Sequence, residues 1–469
     1  MKKITVSPLQ RVHSPTSVEV MVENKKVVDA RIIGDSFRGF EFILRGRDPR
    51  DAPYLTGRIC GICSSAHSVA SSMALEQAAG VKPPRNGIIL RNLIFGADIL
   101  QNHIRQIYLF SMPDYVRMPN LGPLTNGFNQ DLRLSRKVNQ AMVKHYFMAV
   151  EFSRLANELI ILLGGKTPFN HGVLAGGGTV PPSPEIIGDF KVKLEKINHF
   201  ITQVMIPDVY TLAKVYEDYY HMGVRKINFL SFGLFPVDED DQERYFPKGV
   251  LIDGQARNFH ASFIREDVSR SWYAQDGEGV KSPGQIPGEP DREKKGAYSW
   301  IKAPRYQGQA LEGGPLARMW IKGDCRGIST MDRLLARALE AQEIGLLMLG
   351  WLRELKFTEP IYFPYQAPRK GIGAGLTDAM RGPLGHWVRI EKGRIVNYDI
   401  VTPTAWNFSP KDNRGQPGPV EESLLGVQVE NEQEPVEICR VIRAFDLCSS
   451  CSAHVMVAGK PVKKMMIMP

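Results

Sequence analysis

Four of the six cysteines form two Cys-x-x-Cys pairs, Cys60 with Cys63 and Cys448 with Cys451, near opposite ends of a 469-residue chain. Each pair is followed by a histidine, His67 and His454 respectively. Four thiolates suit zinc, an iron–sulfur cluster or a softer redox metal. A zinc ribbon closes its two pairs within about 15–20 residues, so the separation here counts against structural zinc. Attachment of a c-type haem requires a histidine directly after the second cysteine, where this chain has Ser64 and Ser452. A thioredoxin-like site would be one pair in a small α/β unit, which neither end supplies. Six cysteines in 469 residues are also too sparse for a disulfide scaffold. If both pairs bind one metal, the two ends of the chain must meet.

The elements that would bring them together are largely helical. Ser64–Ala79 is rich in Ala, Ser, Met and Leu and is stopped by Gly80 and Pro83-Pro84, which predicts a helix with the first pair at its N-terminus. Longer helices are predicted over Asn86–Phe110, Asp131–Leu163, Pro184 to about Tyr220 with a bend at Pro207, and Thr330–Leu355. Apolar residues nearly all round the last of these point to a buried bundle core. Ser17–Ile33 alternates about Glu23-Asn24-Lys25 and residues 387–398 about Lys392-Gly393, giving two hairpins. Residues 225–318 are mixed and read as a surface-wrapping elaboration. The fold class expected is mainly α with small β-sheets: one interwoven α+β unit over residues 1–469, with a central bundle of long helices and both termini converging on a metal site.

Composition excludes several classes. With 43% hydrophobic and 23% charged residues the chain has material for a large core and is not disordered. The net charge of +9 is scattered without long runs, so nucleic acid is not implied. The longest apolar stretch, Ile344–Leu352, falls far short of the ~20 residues of a membrane span. Met1–Val12 has no apolar h-region, so no secretory signal is readable, and any export is expected to occur together with a partner.

Both cysteine strings resemble the nickel-binding signatures of [NiFe] hydrogenase large subunits. The supporting strings run in order: Arg38-Gly-Phe-Glu41, Tyr298-Ser-Trp-Ile-Lys-Ala-Pro-Arg-Tyr306, Gly314-Pro-Leu-Ala-Arg318, Arg381-Gly-Pro-Leu-Gly-His386 and Pro403-Thr-Ala-Trp-Asn407. The resemblance implies reversible heterolytic cleavage of H2, in the uptake direction, at a nickel–iron cluster whose iron carries CO and cyanide. Cys60 and Cys448 would be terminal on nickel, and Cys63 and Cys451 would bridge the metals. Arg381 would overhang the open metal position, oriented by Asp446, with Asn102 on a helix face nearby. Thr404 would donate to a cyanide ligand beside Pro403. Glu41, His454 and the Ile400 carbonyl would hold Mg2+, although imidazole is an unusual partner for that ion. Implied partners are an iron–sulfur small subunit, nickel-insertion factors and a maturation protease that removes residues 455–469.

Three positions depart from the family pattern. His13 stands where a glutamate usually accepts the proton leaving a terminal cysteine, so His13 is the expected proton acceptor beyond Cys448. Asn102 replaces a common aspartate, and Met380 a common proline. A non-catalytic hydrogenase-fold scaffold, as in respiratory complex I, and a structural zinc protein are the competing readings. Retention of all four cysteines favours the enzyme over the scaffold.

Overall fold

The computed structural model describes residues 1–12, 16–120, 130–275, 279–285 and 288–448. His13, Cys451, His454 and the 455–469 extension lie outside these residues.

The helix Ser64–Ala79 forms as predicted, ending at Gly80 in the left-handed conformation, where glycine pays no Cβ penalty. It is packed onto a three-stranded antiparallel sheet, Lys370–Ala379, Gly382–Glu391 and Arg394–Val401. The contact is backbone against backbone. A Cβ at Gly371, Gly373 or Gly375 would meet the carbonyl oxygens of Ala78, Ala74 or Ala70 at 2.6, 2.0 and 1.8 Å. Alternate glycines on the strand thus face an i, i+4, i+8 stripe of alanines on the helix. This interlock matters for the site, because the helix starts at Cys63 and the strand leads to Arg381. Gly375→Ala is expected to cost about 3 kcal/mol, the upper range for overpacking, and to lower the urea midpoint. An unchanged midpoint would show that the interlock gives way without cost.

Behind this layer lie the long helices Arg85–Arg105, Arg136–Gly164, Pro184–Phe200 and Thr330–Glu354, whose buried faces share one hydrophobic core. Ser135 and Ser183 cap two of them, and Ser329 with Asp332 forms a capping box on a third. The predicted hairpins are present, each extended by a strand that sequence reasoning missed: Lys2–Val6 before the first, Lys370–Ala379 before the second. Among the described residues no helix is long and apolar enough to cross a membrane.

Three helix boundaries differ from expectation. The stretch predicted from Asp131 begins as a helix only at Arg136, because Asp131 takes a positive φ of 56° and its carboxylate pairs with Arg133 and Arg440. The stretch to Phe110 is regular only to Arg105, then widens into a π-turn over Gln106–Ser111. The Pro184 helix does the same over Ile201–Met205 before resuming at Ile206. Both wide turns lie just ahead of a proline, Pro113 and Pro207, whose missing N–H and ring bulk disrupt the i→i−4 ladder.

Candidate metal centre

Three sulfurs meet at the junction of the two chain ends. The Sγ atoms of Cys60, Cys63 and Cys448 lie within 4.8 Å of one another, and Cys60 Sγ is 3.3 Å from Cys448 Sγ. All three residues are buried. Each is held by its surroundings. The Arg38 guanidinium donates to the carbonyls of Arg58, at 3.0 Å, and Ile59, fixing the chain just ahead of Cys60. The Ile62 N–H donates to Cys60 Sγ at 3.4 Å, and Cys63 occupies the N-cap of its helix. Cys448 is anchored through its own carbonyl, which accepts the Thr404 hydroxyl at 2.9 Å. Pro403 opens the same short helix, whose first turn is capped by Thr402.

Arg381 occupies the turn between Ala379 and Gly382, which are paired in register. The buried Arg318 guanidinium donates to the carbonyls of Ala379 and Met380 at 2.9 and 3.3 Å. It is itself paired with Glu340 and Asp378. The Arg381 side chain is then clamped: Nη2 donates to Asn102 Oδ1 at 2.6 Å, and Nε lies 2.9 Å from Asp446 Oδ1. Burial works against its charge, but Asp446 and the thiols of Cys448, Cys63 and Cys60 outweigh it, so its pKa is raised. Asp446 therefore holds Nε as an ion pair and not as a hydrogen bond, and neither Nε nor Nη1 has a hydrogen-bond partner among the described residues.

Asn102 explains itself in this geometry. Its Nδ2 donates to Asp446 Oδ2 at 2.8 Å while its Oδ1 accepts from Arg381, a double role an ionised aspartate cannot fill. Arg337 completes the grip on Asp446 at 3.2 Å. His103, next on the helix, is a buried core residue: its Nε2 is 2.8 Å from Glu340, its Nδ1 has no hydrogen-bond partner among the described residues, and burial pushes its pKa down to about 4.

Sequence reasoning missed Asp98, one helical turn before Asn102. Its buried carboxylate accepts the Ser65 N–H at 3.2 Å, and burial pushes its pKa up to about 7. The i, i+4 spacing to Asn102 was the available signal.

A second buried polar cluster lies on the far side of the sheet. Glu41 Oε1 accepts from the Ile400 N–H at 3.1 Å and from Lys302 Nζ at 3.2 Å. Lys302 also approaches Glu266 and Asp399, at 3.4 and 3.6 Å. Burial raises the pKa of both Glu266 and Asp399 to about 7, and it also opposes the lysine's charge. The three carboxylates prevail, and Lys302 stays well above its ordinary value.

The segment leading to His13 is tied to the segment leading to Cys448. Arg443 donates to the Gln10 carbonyl at 3.0 Å, and both Arg11 and Arg443 pair with the buried Asp114.

A sequence model of the nickel-dependent hydrogenase family matches residues 38–120, 112–325 and 324–454. The periplasmic [NiFeSe] hydrogenase large subunit of Desulfomicrobium baculatum is 36% identical, with 97% of this chain and 95% of that one covered. The uptake hydrogenase large subunit of Rhizobium leguminosarum bv. viciae is 31% identical over 97% and 95%. The Ni-Fe-Se hydrogenase structure from D. vulgaris Hildenborough superposes with a TM-score of 0.94 at 40% identity, covering 97% of this chain and all of that one. The candidate ligands of the present chain are cysteines at all four positions. Three buried sulfurs under a clamped arginine and a family match spanning both cysteine pairs lead to one conclusion: this chain is an enzyme of the nickel-dependent hydrogenase family, with the fold of a hydrogenase large subunit and a nickel–iron centre.

Proposed function

We propose that the chain oxidises H2 in the uptake direction and passes the electrons to an iron–sulfur small subunit. The observation that carries this reading is the convergence of Cys60, Cys63 and Cys448 in one buried pocket beneath Arg381. When bound, the nickel–iron cluster supplies soft, redox-active Lewis acidity at which H2 is polarised. The chain's own residues do the rest. Cys60, Cys63, Cys448 and Cys451 would hold the nickel–iron cluster through their thiolates, with CO and cyanide completing the iron, as the family resemblance implies. Arg381 brings a fixed positive charge to an anionic, water-poor pocket, oriented by Asp446 and Asn102. His13 receives the departing proton beyond Cys448. An imidazole has an unperturbed pKa near the operating pH and can accept on one nitrogen while releasing from the other. His13→Ala is expected to lower H2 oxidation about 10²-fold with metal content unchanged, and His13→Glu to restore much of it. An alanine variant of normal rate would pass the role to another base, with Asp98 the first to examine.

Mg2+ fits the second cluster. Three carboxylates around one lysine leave excess buried negative charge, and Glu266 Oε1 has no partner among the described residues. Glu41, the Ile400 carbonyl and His454 would hold the ion.

The need for a partner follows from electron counting. Oxidation of H2 releases two electrons and two protons. Once four cysteines bind nickel, only Cys325 and Cys439 remain, too few for a relay of clusters held by four thiolates each. Relatives named as an uptake hydrogenase large subunit and a quinone-reactive hydrogenase large chain favour the uptake direction, and the periplasmic relative favours export. The family match ends at residue 454, in keeping with removal of residues 455–469 by a protease after nickel insertion. Metal analysis tests the whole reading: nickel and iron in about equal amounts in an H2-oxidising heterodimer support it. Zinc alone, or a lone chain that reduces acceptors at the full rate, would refute it. Intact mass decides the processing step, and an active enzyme that retains the last 15 residues excludes cleavage.

A further inference from the structure

The strand that leads to Arg381, Lys370–Ala379, lies at the edge of its sheet, paired on one side with Gly382–Glu391. Its Ala374 N–H donates to the Gln77 side chain rather than to that neighbour. Residues of an antiparallel strand alternate between facing the partner and facing away, so Ile372 and Leu376 turn their N–H and C=O groups outward with Ala374. Ile372 is 71% exposed. An open edge of this kind is a template for a further strand.

The edge forms one wall of a groove. The strand Phe229–Pro236 meets it where the Asp378 carboxylate accepts the Phe232 N–H at 2.8 Å. Beyond that contact lies a cavity of about 560 Å³, whose apolar lining comes from Leu376, Phe232, Phe235, Val69, Met73 and Phe95. Its mouth is acidic, with Asp238, Glu239, Asp240 and Asp241 in a row. Lys82 pairs with Asp240 at 2.5 Å and Arg244 with Asp241 at 2.6 Å, and Lys248 lies 3.8 Å from Asp241. Asp238 and Glu239 have no ion pair among the described residues.

An occupant that fits is extended, apolar and basic, and the chain carries one. Residues 462–468 read Val-Lys-Lys-Met-Met-Ile-Met between Pro461 and Pro469, so every one of them has an N–H to give to a neighbouring strand. Lysines 463 and 464 suit the acidic mouth, and unbranched methionines fill irregular apolar space. The reach is ample. Val69 and Gln77, at either end of the helical wall, lie about 9 and 21 Å beyond Cys63 along the helix axis, whereas the chain from Cys448 to Lys463 spans up to about 50 Å when extended. We propose that the groove receives the chain's own 455–469 segment, laid along the Lys370–Ala379 edge as an added strand with Lys463 and Lys464 at the acidic mouth. Main-chain pairing supplies the affinity and the side-chain pockets the selectivity. The docking concerns the uncleaved chain and depends neither on removal of the segment nor on the metals.

Amide hydrogen exchange of the full chain, compared with a chain ending at His454, tests it. Ile372 and Leu376 are expected to exchange at least about 10-fold more slowly in the full chain, as amides newly paired in a strand do. A synthetic peptide of residues 455–469 is expected to restore that protection to the shortened chain. Equal exchange in the two chains, or a peptide without effect, would overturn the proposal. Where the shortened chain fails to fold, a full chain carrying Lys463→Glu, Lys464→Glu and Ile467→Asp takes its place. Charge exchange identifies the mouth: Glu239 is exposed, so Glu239→Lys should fold normally. The native peptide is expected to prefer the wild-type groove, and a peptide with Lys463→Glu and Lys464→Glu to prefer the Glu239→Lys groove. The absence of that reversal would overturn the placement of the lysines, and protection that rises with chain concentration would assign the groove to a second copy and overturn the docking itself.

Discussion

Cys448→Ser is expected to abolish nickel retention while leaving the chain folded. Cys448 is fully buried, its sulfur lies 3.3 Å from that of Cys60, and its backbone is anchored by Thr404. A serine fits the same space and keeps the same carbonyl contact, so the scaffold has no reason to rearrange. The ligand chemistry changes completely. A hydroxyl stays protonated at neutral pH and is hard, whereas nickel in this site calls for a soft, anionic sulfur. Loss of an outer-shell partner alone costs about 10–100-fold in metal affinity, so loss of a direct ligand is expected to exceed that, with H2 oxidation falling in step. Nickel and iron content by elemental analysis checks it, alongside the melting temperature. Cys325→Ser, in a half-buried cysteine outside the three-sulfur group, serves as the control and is expected to keep its metal. Wild-type nickel in Cys448→Ser would remove this residue from the ligand set.

The parts of this structure that were legible in the sequence are those whose information is local. Ser64–Ala79 could be bounded to the residue because nothing inside it breaks a helix and Gly80 ends it. The Asn24-Lys25 and Lys392-Gly393 turns showed where two hairpins reverse. The strand Lys370–Ala379 was invisible for the opposite reason. Its alternating glycines give no strand signal of their own, and their meaning lies in Ala70, Ala74 and Ala78, far away in sequence, which need a bare backbone to pack against. The wide turns before Pro113 and Pro207 lay between these cases: the prolines were read, but not that the ladder would open ahead of them. The site divides along the same line. Two cysteine pairs declare a metal by residue type and spacing, and their sharing of one site requires that the termini meet. The importance of Arg381 came through resemblance, since its sequence neighbours say nothing of Asn102 or Asp446. Lys302 with its three carboxylates emerges only when distant segments are brought together, whereas Asp98 was signalled locally by its i, i+4 spacing to Asn102.

Arg381→Lys tests whether the pocket needs a positive charge or a positive charge held in one place. Lysine preserves the charge, so a role limited to neutralising the thiolates would survive the change. The structure instead fixes a fork. Nη2 is held by Asn102 and Nε lies against Asp446. Asp446 is in turn gripped by Asn102 and Arg337, and Arg318 pins the backbone that leads into the turn. Such a frame orients a planar guanidinium and leaves Nη1 without a hydrogen-bond partner among the described residues. An ammonium on a flexible stem can meet Asp446 or Asn102 but cannot span both while presenting a further donor. Its nearest strong acceptor is the Asp446 carboxylate, so the charge is expected to settle there, away from the sulfurs. Preorganised donors of this kind are worth about 10²–10³ in rate when removed, and Arg381→Lys is expected to lose that much H2 oxidation while retaining nickel and iron. Asn102→Asp adds a second arm. An ionised aspartate can still accept from Arg381 but cannot donate to Asp446, and it places two carboxylates side by side. Repulsion should then raise the pKa of the pair, so activity in Asn102→Asp should fall at high pH, where both ionise, and recover at lower pH as one takes up a proton. Near-normal turnover in Arg381→Lys would reduce Arg381 to a counter-charge and leave the proton acceptor, rather than the arginine fork, as the main source of rate.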